Sequence, residues 1–253
     1  MSVIDVLWLP GELKIAPPCG RATIVIDVIR ATTSITTALA AGADRVIPVP
    51  SVEEAREEAA RERGALLCGE RRGLPPRGFD LGNAPSEFEP GVVAGRALVF
   101  TTTNGTAAIE AARGAGAGSL QLGCFRNAGA VARRVSADAA ADGRGVAIVC
   151  AGRQGRVSMD DAWCAGHLVG RLVQTVAEAE LTDGARAAQA LSARLGRPTA
   201  TGLARTAAGR ALGAIGRTAD LAVCAGLDDL EVVPVWRDGA LVGSRGGEDA
   251  DGG

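Results

Sequence analysis

Short, almost uninterrupted apolar runs alternate with Ala-rich stretches along most of the chain, and this alternation narrows the choice of fold more than any other feature. Runs such as TIVIDV (Thr23 to Val28) and GVAIVC (Gly145 to Cys150) lack the polar alternation of a half-exposed strand, so they are expected to be covered on both faces of a sheet. Strands are expected at Val3 to Trp8, Ala22 to Val28, Arg45 to Val49, Ala65 to Cys68 and Ala97 to Thr101, and again at Ser119 to Leu122, Val146 to Cys150, Leu221 to Cys224 and Glu231 to Trp236. Ser51 to Arg63 and Arg126 to Ala141 read as helices. Asp183 to Ile215 reads as all-helical, with a turn around Gly196 and Pro198. Strands and helices in this alternation make an α/β fold, a three-layer α/β/α sandwich with a mixed sheet. It forms one domain over residues 1–243, and the polar, Gly-rich residues 244–253 are expected to be a disordered tail.

Composition limits the partners. Tyrosine is absent and aromatics are few, so Ala, Val, Leu and Ile must fill the core. Lys14 is the only lysine beside abundant arginine, a side chain suited to bidentate binding of phosphate or sulfonate. A net charge of −2 argues against nucleic-acid and membrane surfaces. No basic segment followed by an apolar run opens the chain, and no apolar stretch has the length of a bilayer span. The six cysteines show no CxxC spacing, which fits reduced thiols in a cytoplasmic protein rather than disulfides or zinc. A homo-oligomer is compatible with the sequence, which is otherwise silent on assembly.

VIDVIRATTSITTALAAGA (Val25 to Ala43) can be laid over VFTTTNGTAAIEAARGAGA (Val99 to Ala117), placing Asp27 on Thr101, Arg30 on Asn104 and Thr32 on Thr106. Two βα units of an Ala-rich protein resemble each other in any case. Either way, two polar strand-to-helix turns are expected at one edge of the sheet, where open α/β sheets bind ligands.

Four segments carry chemistry. In DVIRATTS, a strand delivers Asp27 to its carboxyl end, and Arg30, Thr32 and Thr33 precede a helix start able to hold an oxyanion. The alternative is that the threonines cap the helix while Arg30 and Asp27 pair on the surface. In TTTNGT, Thr102, Thr103, Asn104 and Gly105 offer hydroxyls, an amide and a tight turn, either an anion cradle or an ordinary Asn-Gly turn. The segment from Gly69 to Pro90 is long for a loop and holds Glu70, Arg71, Arg72, Arg77, Asp80 and Asn83, either ligands or a mobile surface insertion. Ser158 and Asp161 have capping-box spacing ahead of an amphipathic helix, and Asp161 is open to a metal-ligand role as well. Cys150 and Arg156 share the C-x5-R spacing of cysteine-dependent phosphatases, an alternative route to the same chemistry. His167, the single histidine, falls inside the amphipathic helix and reads as structural.

In order, IDVIRATTS, GERRG with GFDLGNAPSE, TTTNGT, and CAG followed by SMDD and CAG resemble the 2-phosphosulfolactate phosphatase family, over Ala22 to Gly166. Asp183, the stretch near Gly209-Arg210-Leu212 and DLAVCA resemble it less distinctively. The resemblance implies a magnesium-dependent hydrolase that removes phosphate from 2-phospho-3-sulfolactate, a small anionic phosphoester on the way to coenzyme M. It implies Asp27, Glu70 and Asp161 as magnesium ligands, with Asp80 in reserve. Arg30 and Arg71, with the turns at Thr32-Thr33 and Thr102 to Gly105, would stabilise the transferring phosphoryl. Arg126 and Arg153 would meet the sulfonate and carboxylate. Asp160-Asp161 stands where a Glu-Asp pair is expected, and Ala84 where serine is, which leaves the chemistry intact and the substrate less fixed. A non-catalytic module binding an acidic metabolite through the same turns is the other alternative.

Overall fold

The computed structural model describes residues 2–176 and 178–245, with only the backbone of Asp142 and Arg245. In chain order the elements are β1 (Val3–Leu7), β2 (Ala22–Ile26), α1 (Ala31–Ala40), β3 (Arg45–Pro48), α2 (Val52–Arg61), β4 (Leu66–Gly69), α3 (Pro90–Val93), β5 (Ala97–Thr101), α4 (Gly105–Gly114), β6 (Ser119–Gly123) and α5 (Ala128–Asp142). They continue with β7 (Val146–Cys150), α6 (Met159–Leu172), β8 (Glu180–Leu181), α7 (Asp183–Leu195), α8 (Ala200–Ala204), α9 (Ala207–Ala214), α10 (Asp220–Cys224), β9 (Val232–Arg237) and β10 (Ala240–Arg245). The strands form one mixed sheet in the order β4-β5-β3-β10-β9-β6-β2-β7-β1-β8. This is the expected α/β/α sandwich.

Alternate residues of the buried strands feed two cores. Ile24, Ile26, Ile148 and Cys150 face α5, α6 and α7, whereas Val25, Ala147 and Val149 face α1 and α4. That division is why TIVIDV and GVAIVC carry no polar alternation: both sheet faces are dry.

The sequence reading is corrected in three places. Leu221 to Cys224 is helical, within α10, because Asp220 at its start turns inward to pair with Arg30 and Leu221 is buried beside it. Two strands had no expectation: β8, only two residues long, and β10, which forms an antiparallel hairpin with β9. Ser244 and Arg245 are therefore ladder residues and not tail, while 246–253 lie outside the described residues.

The hairpin matters for the site. β3, β5 and β4 run parallel to one another, as do β6, β2, β7, β1 and β8, but three successive antiparallel pairings separate the two groups. The strands carrying Asp27 and the TTTNGT turn thus run in opposite senses, contrary to the single-edge expectation. Five pairings separate β5 from β2, and a twist of roughly 20–25° at each turns one section across the other. Helices α1 and α4 pack in the core they share, and the two turns meet at its mouth.

Candidate active site

A pocket of about 300 Å³ is lined by Asp27, Ile29 and Arg30 from the turn after β2, by Glu70, Arg72, Gly73 and Asn83 from the segment after β4, and by Thr103 and Asn104 from the turn after β5. Arg153 and Gln154 close it from the turn after β7. Ala208, Ala211, Leu212, Ala214 and Ile215 make its apolar wall, with 208, 211, 212 and 215 on one face of α9. Of the residues singled out in the sequence, Asp27, Arg30, Glu70, Arg72, Asn83, Thr103, Asn104 and Arg153 are thus brought together.

The turns are built by their own threonines. Thr32 Oγ1 accepts from the Asp27 N–H (3.1 Å) and donates to the Asp27 carbonyl (2.9 Å), while Thr33 Oγ1 donates to the Val28 carbonyl (2.8 Å). Thr106 does the same for the second turn, accepting from the Thr102 N–H and donating to its carbonyl, and Thr102 Oγ1 accepts from the Thr106 N–H. Thr32 and Thr106, laid on each other by the internal echo, both tie a helix start to the end of the preceding strand. Thr32 reaches five residues back to Asp27 and Thr106 only four back to Thr102, so the register of the echo does not hold at the level of hydrogen bonds. Thr32, Thr33 and Thr102 are buried and spend their hydroxyls on the backbone, so they shape the pocket without lining it.

Four more nominated residues are placed behind or away from it. Asp161 is buried, with Oδ1 accepting from the Val28 N–H (2.9 Å) and Oδ2 from the Gly152 N–H (3.0 Å), which ties the ends of β2 and β7 together. The capping box is not formed: Ser158 stands at the N-cap of α6 but donates to Asp160 Oδ1 (2.6 Å). Arg71 is spent on the carbonyls of Glu70 and Pro50 and on Thr101 Oγ1, so its neighbour Arg72 is the arginine that reaches the pocket. Arg126 pairs with Asp229 (2.9 Å) and Thr37 Oγ1, outside the lining. Asp80, the reserve ligand, accepts from the Leu67 N–H.

Glu70 joins two of the loops: Oε1 accepts from the Thr103 N–H (2.8 Å) and Oε2 from the Gly73 N–H (2.7 Å). Gly105 is pressed against Asp27, since a Cβ there would lie 2.8 Å from Asp27 Oδ2. Burial first, then the charges of Asp160 and Glu70, raise the Asp27 carboxyl to about 7, against the opposing pull of the Ala31 N–H and Arg30. Asp161 is pushed well above the carboxylate range by burial and by Asp160 and Asp27. Asp160 is raised by burial, offset in part by Ser158, Thr206 and Arg153. Acidic groups are therefore concentrated behind a pocket mouth rimmed by arginine, and burial favours their protonated forms.

Whether magnesium fits can be judged from these donors. Among the described residues no three His, Cys, Asp or Glu side chains are grouped to hold a metal, so the chain does not build a cage from Asp27, Glu70 and Asp161. Magnesium commonly takes only one or two carboxylates and fills its remaining positions with water and substrate phosphate. Asp27 and Glu70, side by side in the lining, fit that mode.

The thiol route does not fit. Cys150 points into the core with Ile148, is 1 % exposed, and does not line the pocket. Burial, then Asp161 and Asp160, push its thiol well above the ordinary range, the opposite of an activated thiolate. His167 is half-buried in α6 against Phe125, as a structural residue.

Sequence reasoning gave no site role to Gln154, to the α9 wall or to Asp220, although Leu212 and Asp220 fall in the two stretches that resemble the family less distinctively, and it preferred Arg71 to Arg72. Among these only Asp220 had a usable signal, a lone acid opening an apolar stretch. Arg72 and Gln154 both adopt positive φ (55° and 51°) at the pocket rim, a backbone feature that composition does not announce.

The family model described as 2-phosphosulpholactate phosphatase matches residues 11–239. A protein of Pseudothermotoga lettingae named "Probable 2-phosphosulfolactate phosphatase" is 36% identical over 235 residues, covering 92% of this chain and 96% of that protein. One of the same name from Thermus thermophilus is 40% identical over 234 residues, 92% of this chain and 93% of its own. Another from Thermotoga petrophila is 41% identical over 187 residues, 74% of either chain. The residues matched by the family model include every loop that lines the pocket, and the chain belongs to the 2-phosphosulpholactate phosphatase family.

Proposed function

We propose that this chain hydrolyses 2-phospho-3-sulfolactate, or a closely similar acidic phosphoester, to sulfolactate and phosphate, as a cytoplasmic enzyme of the coenzyme M type. The observation that carries the reading is that Arg72 and Arg153 line the pocket and neither makes a side-chain hydrogen bond or ion pair among the described residues. Two guanidiniums without a hydrogen-bonded partner beside Asp27 and Glu70, Arg153 also within the field of Asp160, call for an anionic ligand that fills their donors.

In the reaction, the ester P–O bond breaks and a new P–O bond forms to the oxygen of water. One proton of that water ends on the leaving oxygen to give the hydroxyl of sulfolactate. Arg30 and the Thr103-Asn104 turn face the transferring phosphoryl and stabilise its charge. Arg72 and Arg153 hold the sulfonate and carboxylate, and the face of α9 covers the three-carbon skeleton and keeps bulk water away. Magnesium, held by Asp27 and Glu70 when bound, supplies neutralisation of phosphate charge.

The discriminating experiment compares 2-phospho-3-sulfolactate with 2-phospholactate, which lacks the sulfonate. Arg72→Ala and Arg153→Ala should each raise KM for the sulfonated substrate by about tenfold or more, the loss of a charge-assisted contact. At least one of them should leave 2-phospholactate nearly untouched. Equal losses on both substrates in both variants would remove these arginines from the sulfonate.

A further inference from the structure

Arg30 and Asp220 are 190 positions apart and form a 2.6 Å ion pair, with side chains only 3% and 5% exposed. Arg30 Nη2 donates to the Gly73 carbonyl at 2.7 Å. Arg30 lines the pocket, whereas Asp220, at the first position of α10, does not. Ile215, at the end of α9, presses on Gly73: a Cβ on that glycine would lie 2.6 Å from Ile215 Cδ1. The helical segment from α9 to α10 therefore grips Arg30 from one side and the Gly73 turn from the other.

We infer that Asp220 is a positioning residue for the phosphoryl-transfer site, acting through Arg30; the inference rests on the activity proposed above. A buried ion pair is weak as a stabilising device, because both charges lose their hydration. Its consequence here is directional. Two ends of a rigid, planar guanidinium are fixed by Asp220 and Gly73, so the donors that remain are aimed before substrate arrives. Arg30 also enters the pocket already held in a direct ion pair, which Arg72 and Arg153 lack among the described residues. Its contribution is aim rather than added positive charge, so its loss should fall on kcat more than on KM.

The test is a double-mutant cycle on phosphate release from 2-phospho-3-sulfolactate, with melting curves beside it. Asp220→Asn, of the same shape without the charge, should fold and lower kcat roughly tenfold or more, with KM changed less than about threefold. In an Arg30→Ala background the same substitution should change kcat less than about twofold, because its target is gone. A folded Asp220→Asn with wild-type kcat overturns the inference, as does an undiminished loss in the Arg30→Ala background. Asp220→Glu, which keeps the charge but shifts it by one methylene, runs the same cycle if Asp220→Asn does not fold. A wild-type chain that fails to turn over the substrate refutes the proposed activity instead. The pair is then read by inorganic phosphate: its upward shift of the melting temperature should shrink in the Asp220 variant, and an unchanged shift overturns the inference.

Discussion

Gly105 sits directly on Asp27: a side-chain carbon at that position would lie 2.8 Å from Asp27 Oδ2 and 2.4 Å from Ala31 Cβ. The start of α4 and the turn after β2 are therefore fitted to each other through the absence of a single methyl group, and the pocket depends on that fit. Gly105→Ala should displace Asp27 or α4, costing about 1–3 kcal/mol of stability as overpacking does, and it should remove most activity. Gly114, at the other end of the same helix, has open space where a methyl would go, with no atom within 4 Å. Gly114→Ala should be neutral or stabilise by about 0.5–1 kcal/mol. Thermal unfolding and phosphate release on the pair check this; a Gly105→Ala protein as stable and active as Gly114→Ala contradicts it.

The residues of this contact show what was legible in the sequence. The strand runs, the two polar turns and the chemistry of Asp27, Arg30, Glu70, Thr103, Asn104 and Arg153 are local features, and local patterns report them. What the pattern could not tell is which hydroxyls the backbone consumes. Thr32, Thr33 and Thr102 look like ligands in one dimension, but each closes a turn with its own neighbours. Arg71 and Arg72 are indistinguishable in sequence, and a positive φ at Arg72 decides which one faces the pocket. Asp220 was hidden for another reason: DLAVC has strand-like composition, and its helical state is set by tertiary packing against Arg30.

His167 governs one part of the pH response. It accepts a hydrogen bond from Arg171 Nε at 3.3 Å, and burial, then the Arg171 charge, lower its pKa from 6.5. The folded protein thus binds the His167 proton less readily than the unfolded chain. The stability this contributes is present above the unfolded value and is lost as pH falls through it toward the depressed folded one. The buried carboxylates raised in the folded state act in the opposite sense, so the comparison must be between proteins. His167→Gln should lose less melting temperature than wild type between pH 7 and about 5. Parallel curves for the two proteins would contradict the assignment.

Metal and thiol chemistry separate cleanly. Chelation by EDTA should abolish turnover and added magnesium should restore it. Cys150→Ser should keep most activity, with any loss matched by destabilisation of about 1–3 kcal/mol from a buried hydroxyl. Release that resists EDTA and disappears in a folded Cys150→Ser protein would contradict the account.

The central claim is that the Asp27 pocket hydrolyses the phosphoester, and phosphate release from 2-phospho-3-sulfolactate by wild type and by Asp27→Asn tests it most directly. Asparagine keeps the shape beside Gly105 but removes the charge at the floor of the site. The account predicts steady turnover by wild type and a loss of about a hundredfold or more in a folded Asp27→Asn protein. No release by the wild-type protein in the presence of magnesium, or full activity in the folded variant, would contradict it.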